Sequence, residues 1–172
     1  YDCLAIHTLV KADVLQAFGK PLGIGKESDV FDAMMPDSTR VAVKFHRLGR
    51  ASFRQTKRKR GYIVEQAYTP TWLYQSRLAA KREFEALSML YPKGVSVPKP
   101  IKQNRHVIVM SIIVQLDEHI LIIDWPQYVT VKHPNAEQLL QRDVQNVLRF
   151  FRQKLRLEVY DLEDVLANVR GN

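Results

Sequence analysis

Cysteine is almost absent: Cys3 is the only one in 172 residues, which excludes an internal disulfide and a cysteine-rich zinc site and fits a reducing interior. No apolar run approaches the ~18 residues that a membrane-spanning helix needs, and the first residues lack the pattern of a secretory leader, so a soluble protein is expected. Acidic residues are outnumbered, 18 against 26 Lys and Arg, and the net charge of +8 favours an acidic partner such as nucleotide, RNA or an anionic membrane surface. The histidines His46, His106 and His133 lack metal-ligand spacing with one another and read as hydrogen-bonded structural residues. Against these absences, 46% apolar residues suffice for one packed domain or a small bilobed one.

Glycines number only 7, and two of them fall in Gly23-Ile24-Gly25-Lys26-Glu27-Ser28-Asp29-Val30, ahead of Val41-Ala42-Val43-Lys44. A glycine pair beside a strand lets backbone N–H groups approach phosphate oxygens, and a lysine on the following apolar strand can neutralise them. Alone, the glycines read as a turn and Lys44 as a strand end meeting solvent. In order and at hairpin distance, they point to a nucleotide site.

The chain opens at Tyr1 in an amphipathic pattern (Leu4, Ile6, Leu9, Val10, Val14, Leu15) read as the continuation of an upstream portion. Residues 11–18 are expected to form a short helix, broken by Gly19 to Leu22 before a strand that begins near the glycine pair. Val30–Met35 and Arg40–His46, joined at Pro36-Asp37-Ser38, predict a hairpin whose second arm presents Lys44. Residues 48–68 carry the basic run Arg50, Arg54, Lys57, Arg58, Lys59 and Arg60, read as an exposed, flexible loop or an RNA contact. From Pro70 to Tyr91, the residues Trp72, Leu73, Ser76, Ala80, Phe84, Leu87 and Tyr91 recur at helical spacing, with Glu83 bordering that stripe. Val95–Pro100 is extended, Val107–Met110 is a buried strand, and Ile112–Gln115 with Ile120–Ile123 predict a second hairpin ending at Asp124-Trp125-Pro126. A helix over 134–155 places Leu139, Leu140, Val144, Val147, Leu148, Phe151 and Leu155 inward, and a shorter one follows within 158–172.

These strings resemble the RIO atypical protein kinases, within them the second branch, which matures the small ribosomal subunit. The resemblance rests on Gly23 to Val30, Val41 to Phe53 (VAVKFHRLGRASF), Trp72-Leu73-Tyr74, Glu83-Phe84, Val97-Pro98-Lys99-Pro100, Asp124-Trp125-Pro126-Gln127 and His133-Pro134-Asn135-Ala136. It implies an α+β, bilobed protein-kinase-like fold: a linker helix over 1–18 that ends an upstream winged-helix domain, a β-rich N-lobe over 19–110, and the remainder of a C-lobe over 111–172. It also implies ATP and Mg²⁺ as cofactors, with Lys44, Glu83 and Asp124 as the catalytic set. Lys44 would pair with the α- and β-phosphates and be held by Glu83, while Asp124 would hold the metal and, in some members, accept phosphate. The cofactor-binding residues would be Gly23, Gly25, Lys26, Glu27, Ser28, Val30, Lys44, Met110 and Ile123. The implied partners are the small-subunit precursor and its rRNA, in the cytoplasm, with no membrane and an unspecified protein substrate.

The sequence departs from that family between Met110 and Ser111, where kinases place a hinge, two helices and the catalytic loop. The missing stretch would supply the Asp that orients the nucleophile and the Asn for a second metal. A true deletion would leave the apolar face of Val144 to Leu155 uncovered, so the expectation is that the segment exists outside the sequence given. Two rival readings are a nucleotide-gated assembly factor with little kinase activity and a plain RNA-binding domain in which the glycines are only a turn.

Overall fold

The computed structural model describes residues 1–47, 72–112 and 128–171. The chain forms two compact units, Tyr1–Tyr128 and Val129–Asn172. In the first, five antiparallel strands run β1 (Ala17–Ile24), β2 (Ser28–Met34), β3 (Arg40–His46), β4 (Pro100–Asn104) and β5 (Val107–Ser111), in the spatial order β1-β2-β3-β5-β4. Helix α1 (Asp2–Lys11) precedes the sheet and α2 (Trp72–Leu90) lies between β3 and β4 in the chain. The central strand β3 has only one residue open to solvent, Arg40, and alternates between two cores. On one face Val41, Val43 and Phe45 join Val107 and Val109 beneath Ala5 and Leu9 of α1. On the other, Ala42 joins Ile108, Met110 and Val97 against Ala80 and Leu87 of α2. Both cores follow from the period-two alternation of a strand, which sends neighbouring side chains to opposite faces.

The hairpin expected over 30–46 is present, with Val30 opposite Lys44 and Met34 opposite Arg40. The expected helix over 11–18 is not: α1 ends at Lys11, and Gly19 to Leu22 lie inside β1 rather than breaking a helix before it. The true helix is N-terminal to the expected one because Ala5 and Leu9, one turn apart, are the residues the sheet covers. Strand β1 tolerates Pro21 because it is an edge strand with register shifts on either side of that residue. The glycine pair therefore closes a strand instead of opening one. Strand β4 was not expected; Pro100 gives its first position, where a missing N–H is tolerated.

Helix α2 matches its expected span, but its buried face is Gln75, Ser76, Ala79, Ala80, Glu83, Ala86 and Leu87. Trp72 and Tyr91, placed on the apolar stripe by spacing, are exposed. Small side chains let the helix lie close to the sheet, so the strip that is covered is set by Ala and Ser rather than by the largest apolar residues.

The second unit contains α3 (Ala136–Lys154) and α4 (Leu162–Arg170). Leu166 of α4 is buried, and Arg170 pairs with Glu137. Asp161 caps α4, accepting a hydrogen bond from Leu162 N, and Gly171 ends it in the left-handed conformation at φ 82°. Of the residues expected on the inner face of α3, Leu139, Leu140, Val144, Leu148 and Phe151 are half-buried, whereas Val147 and Leu155 are exposed. The second expected hairpin and the basic run at 50–60 lie outside the described residues.

Candidate nucleotide site

Strand β3 delivers Lys44 and helix α2 delivers Glu83 to the same interior point. Lys44 Nζ donates to Glu83 Oε1 at 2.8 Å and to Oε2 at 2.9 Å, and the two residues are 39 positions apart in the chain. Both are nearly sealed from water, with Lys44 6% and Glu83 2% exposed. Lys44 reaches α2 because it shares a strand face with Ala42, which packs on that helix. Glu83 points inward because it follows Ser76, Ala79 and Ala80 along the buried strip. Two charges removed from water need each other, since an isolated buried ion costs several kcal/mol.

His46 is on the same face two residues beyond Lys44, 2% exposed, with Nε2 3.1 Å from Glu83 Oε2. At that distance the ring nitrogen is within reach of the carboxylate but makes no well-formed hydrogen bond to it. Burial alone would push the Glu83 carboxyl up, but the His46 ring and the Lys44 charge act against it and hold it below its ordinary 4.5. A carboxyl with a lowered folded pKa contributes stability that is complete above its unfolded value and is lost as pH falls through the folded one. Acid unfolding of the native chain should therefore steepen below pH 4.5. Glu83→Gln should flatten that acid limb, which urea midpoints measured across pH 3 to 7 would reveal.

The glycine segment forms the turn between β1 and β2. Gly25 N donates to Ser28 O at 2.9 Å, and a Cβ on Gly25 would stand 3.0 Å from that same carbonyl, so a side chain there would make the turn give by a few tenths of an ångström. At Gly23 a Cβ would meet nothing within 4 Å. Arg47, just past β3, ties this turn down: its N–H donates to Glu27 O at 2.7 Å. Its guanidinium bonds Asp29 on β2 at 2.5 Å and Asp2 on α1 at 2.7 Å. Asp2 in turn meets His106 Nε2 at 2.8 Å. Burial raises the Asp2 carboxyl, yet the bonds to Arg47 and His106 outweigh it and leave it below its ordinary value.

Val30 stands opposite Lys44 in the β2–β3 register and Met110 opposite Ala42 in the β3–β5 register, and both belong to the apolar cluster around Ala42. Ile123 and Asp124 lie outside the described residues. His46 and Arg47 were not singled out for the site by sequence reasoning. The strand period carried the signal for His46, since positions 44 and 46 must share a face. Arg47 had no such signal, because its partners Asp2 and Asp29 are distant in sequence.

A five-stranded antiparallel sheet with a lysine on its central strand pinned by a glutamate from α2, between β3 and β4 in the chain, defines a protein-kinase-like N-lobe. The RIO domain family matches residues 29–118 and 112–165, and the chain belongs to that family. The RIO-type serine/threonine-protein kinase Rio2 of Methanocaldococcus jannaschii is 37% identical over 201 positions, covering 88% of this chain and 74% of that protein. The serine/threonine-protein kinase RIO2 of Caenorhabditis elegans is 36% identical, covering 94% of this chain and 39% of that protein. The Rio2 kinase of Chaetomium thermophilum, solved as an ADP/Mg²⁺-phosphoaspartate complex, superposes with a TM-score of 0.75 at 30% identity, covering 95% of this chain and 64% of that one. This chain thus spans from about two fifths to three quarters of the proteins it resembles. The family match falls in two pieces that meet at residues 112–118. The 201 positions aligned with the archaeal relative take up 88% of 172 residues, so about 50 of its positions face no residue here.

Proposed function

We propose that this chain binds Mg²⁺·ATP between the Gly23–Ser28 turn and the Lys44–Glu83 pair, and that it is a RIO-type serine/threonine kinase or ATPase acting in the cytoplasm on the small-subunit precursor and its rRNA. The observation that carries the reading is the buried, two-pronged Lys44–Glu83 pair, on the strand that pairs with the glycine turn through Ser28. The Lys44 ammonium can turn N–H groups toward phosphate oxygens while Glu83 fixes its direction. Ser28 and the backbone around Gly25 and Lys26 hold the outer phosphates, Gly23 leaves room for them, and Val30 and Met110 offer the base an apolar wall. Asp124 is the proposed Mg²⁺ ligand; among the described residues no group of three His, Cys, Asp or Glu gathers to hold a metal. The bound metal would neutralise phosphate charge. No helix among the described residues is long and apolar enough to cross a membrane.

A second reading, a nucleotide-gated assembly factor with little phosphoryl transfer, is favoured by the two-piece family match. The break falls where the resemblance puts the catalytic loop. Incubation with γ-labelled ATP and Mg²⁺, following label on protein and phosphate released, separates the two. The kinase or ATPase reading expects turnover that depends on Lys44 and Asp124. The assembly-factor reading expects tight ATP binding with turnover at background, and absence of ATP binding defeats both.

Substitution of the two glycines tests the turn. Gly25→Val should weaken ATP binding by roughly 10-fold or more, because Ser28 must shift to accommodate the side chain. Gly23→Ala should leave the melting temperature of the nucleotide-free protein unchanged and act only on ATP affinity, measured by calorimetric titration.

A further inference from the structure

We propose that His46 is a positioning residue for the nucleotide site, which takes over part of the hold on Glu83 when Lys44 turns toward phosphate. The inference rests on the nucleotide-site reading and deepens it. Lys44 spends two donors on the two oxygens of Glu83. Phosphate oxygens compete for those same donors, since one ammonium has three N–H groups to share. Glu83 is 2% exposed, so water cannot replace a bond that Lys44 gives up. An under-bonded buried carboxylate would either take up a proton or swing away, and in both cases it would cease to hold Lys44 in line.

His46 stands where the replacement donor is needed. Its Nε2 is 3.1 Å from Glu83 Oε2, it is 2% exposed, and it is incompletely satisfied as it stands, so a small movement of the carboxylate toward it improves both groups. The ring is anchored for this task through its own backbone, because His46 N donates to His106 O at 2.9 Å and the strand pairs with Ser28 of the glycine turn. The alternation of β3 thus puts catalytic lysine and supporting imidazole on one face, two residues apart.

The test measures the affinity of Mg²⁺ with a fluorescent ATP analogue for the native chain, Lys44→Ala, His46→Ala and His46→Gln. In parallel, it records the His46 ring ¹⁵N resonances of the native protein with and without Mg²⁺·ATP. His46→Ala should bind about 10-fold more weakly. His46→Gln, whose amide can donate from a similar position, should recover to within about 3-fold. The Nε2 resonance should shift on nucleotide addition as its hydrogen bond forms. Native-like affinity in His46→Ala, or equal losses in the Ala and Gln variants, would overturn the proposal while leaving the nucleotide site intact. If neither variant folds, an Nε2 resonance unmoved by saturating nucleotide overturns it. A native chain that does not bind the analogue at all defeats the nucleotide reading itself.

Discussion

Lys44→Ala is expected to weaken ATP binding by about 100-fold and to destabilise the fold at the same time. The first effect follows from losing charge-assisted hydrogen bonding to phosphate, where one such bond is worth about 1.5–3 kcal/mol and about 2.7 kcal/mol corresponds to that 100-fold loss. The second comes from Glu83, which remains buried with its cation gone. Removing one member of such a pair typically costs about 3–5 kcal/mol, because the survivor keeps its desolvation penalty. Glu83 escapes part of that penalty by taking up a proton, so the variant should recover stability as pH falls toward 4.5 and level off below it, opposite in sense to the native chain. Lys44→Met, which fills the same space without charge, should bind ATP as poorly. Urea titrations at pH 7 and pH 4 and a calorimetric ATP titration check all three statements. A variant that binds ATP normally would remove Lys44 from the site.

Leu87→Ala is the second large effect. Leu87 is 1% exposed and packs in the cluster of Ala42, Ala80, Val97, Ile108 and Met110 that fastens α2 to the sheet. Deleting a buried leucine to alanine costs about 2–5 kcal/mol, through lost burial plus the cavity that the neighbours fail to close. Leu87 sits one turn beyond Glu83 on the same helix, so loosening it also loosens the carboxylate that steers Lys44. The expected result is a melting temperature several degrees lower together with a measurable loss of ATP affinity. Leu166→Ala, in the second unit, removes a leucine of equal burial and should spare ATP affinity. Loss of affinity in both variants alike would mean that global destabilisation, not the seat of α2, governs binding.

The sequence made the hairpin and α2 legible because each carries its own period over many residues, and Pro36-Asp37-Ser38 marks the turn between arms of matched length. It misled at the N-terminus, where Gly19 and Pro21 read as punctuation although they lie in an edge strand. An edge strand does not need every ladder bond that these residues forgo. Strand β4 was hidden for a similar reason: Pro100-Ile101-Lys102-Gln103-Asn104 has little apolar content, and its pairing with β5 supplies the structure that its own composition does not. On α2 the expected stripe holds at Ser76, Ala80 and Leu87, which are buried, and fails at its ends, where Trp72 and Tyr91 are exposed while Ala79 and Glu83 are covered instead.

For the site, Lys44 and Glu83 could be named from the resemblance, but their two hydrogen bonds required a fold that brings residues 39 apart into contact. His46 shows what a local rule would have contributed. Strand alternation alone puts it beside Lys44, yet a histidine without metal-ligand spacing invites a purely structural reading. Arg47 lay beyond local rules, since its partners come from α1, β2 and the turn at Glu27, which only the assembled sheet brings to one place.

Hydrogen exchange of the whole chain, with and without saturating Mg²⁺·ATP, tests the central claim most directly, because it locates the nucleotide as well as detecting it. The account predicts slowed exchange in peptides covering Gly23–Val30, Val41–His46 and the segment around Met110, with α4 unchanged. Protection confined to other segments, or exchange indifferent to nucleotide, would contradict it.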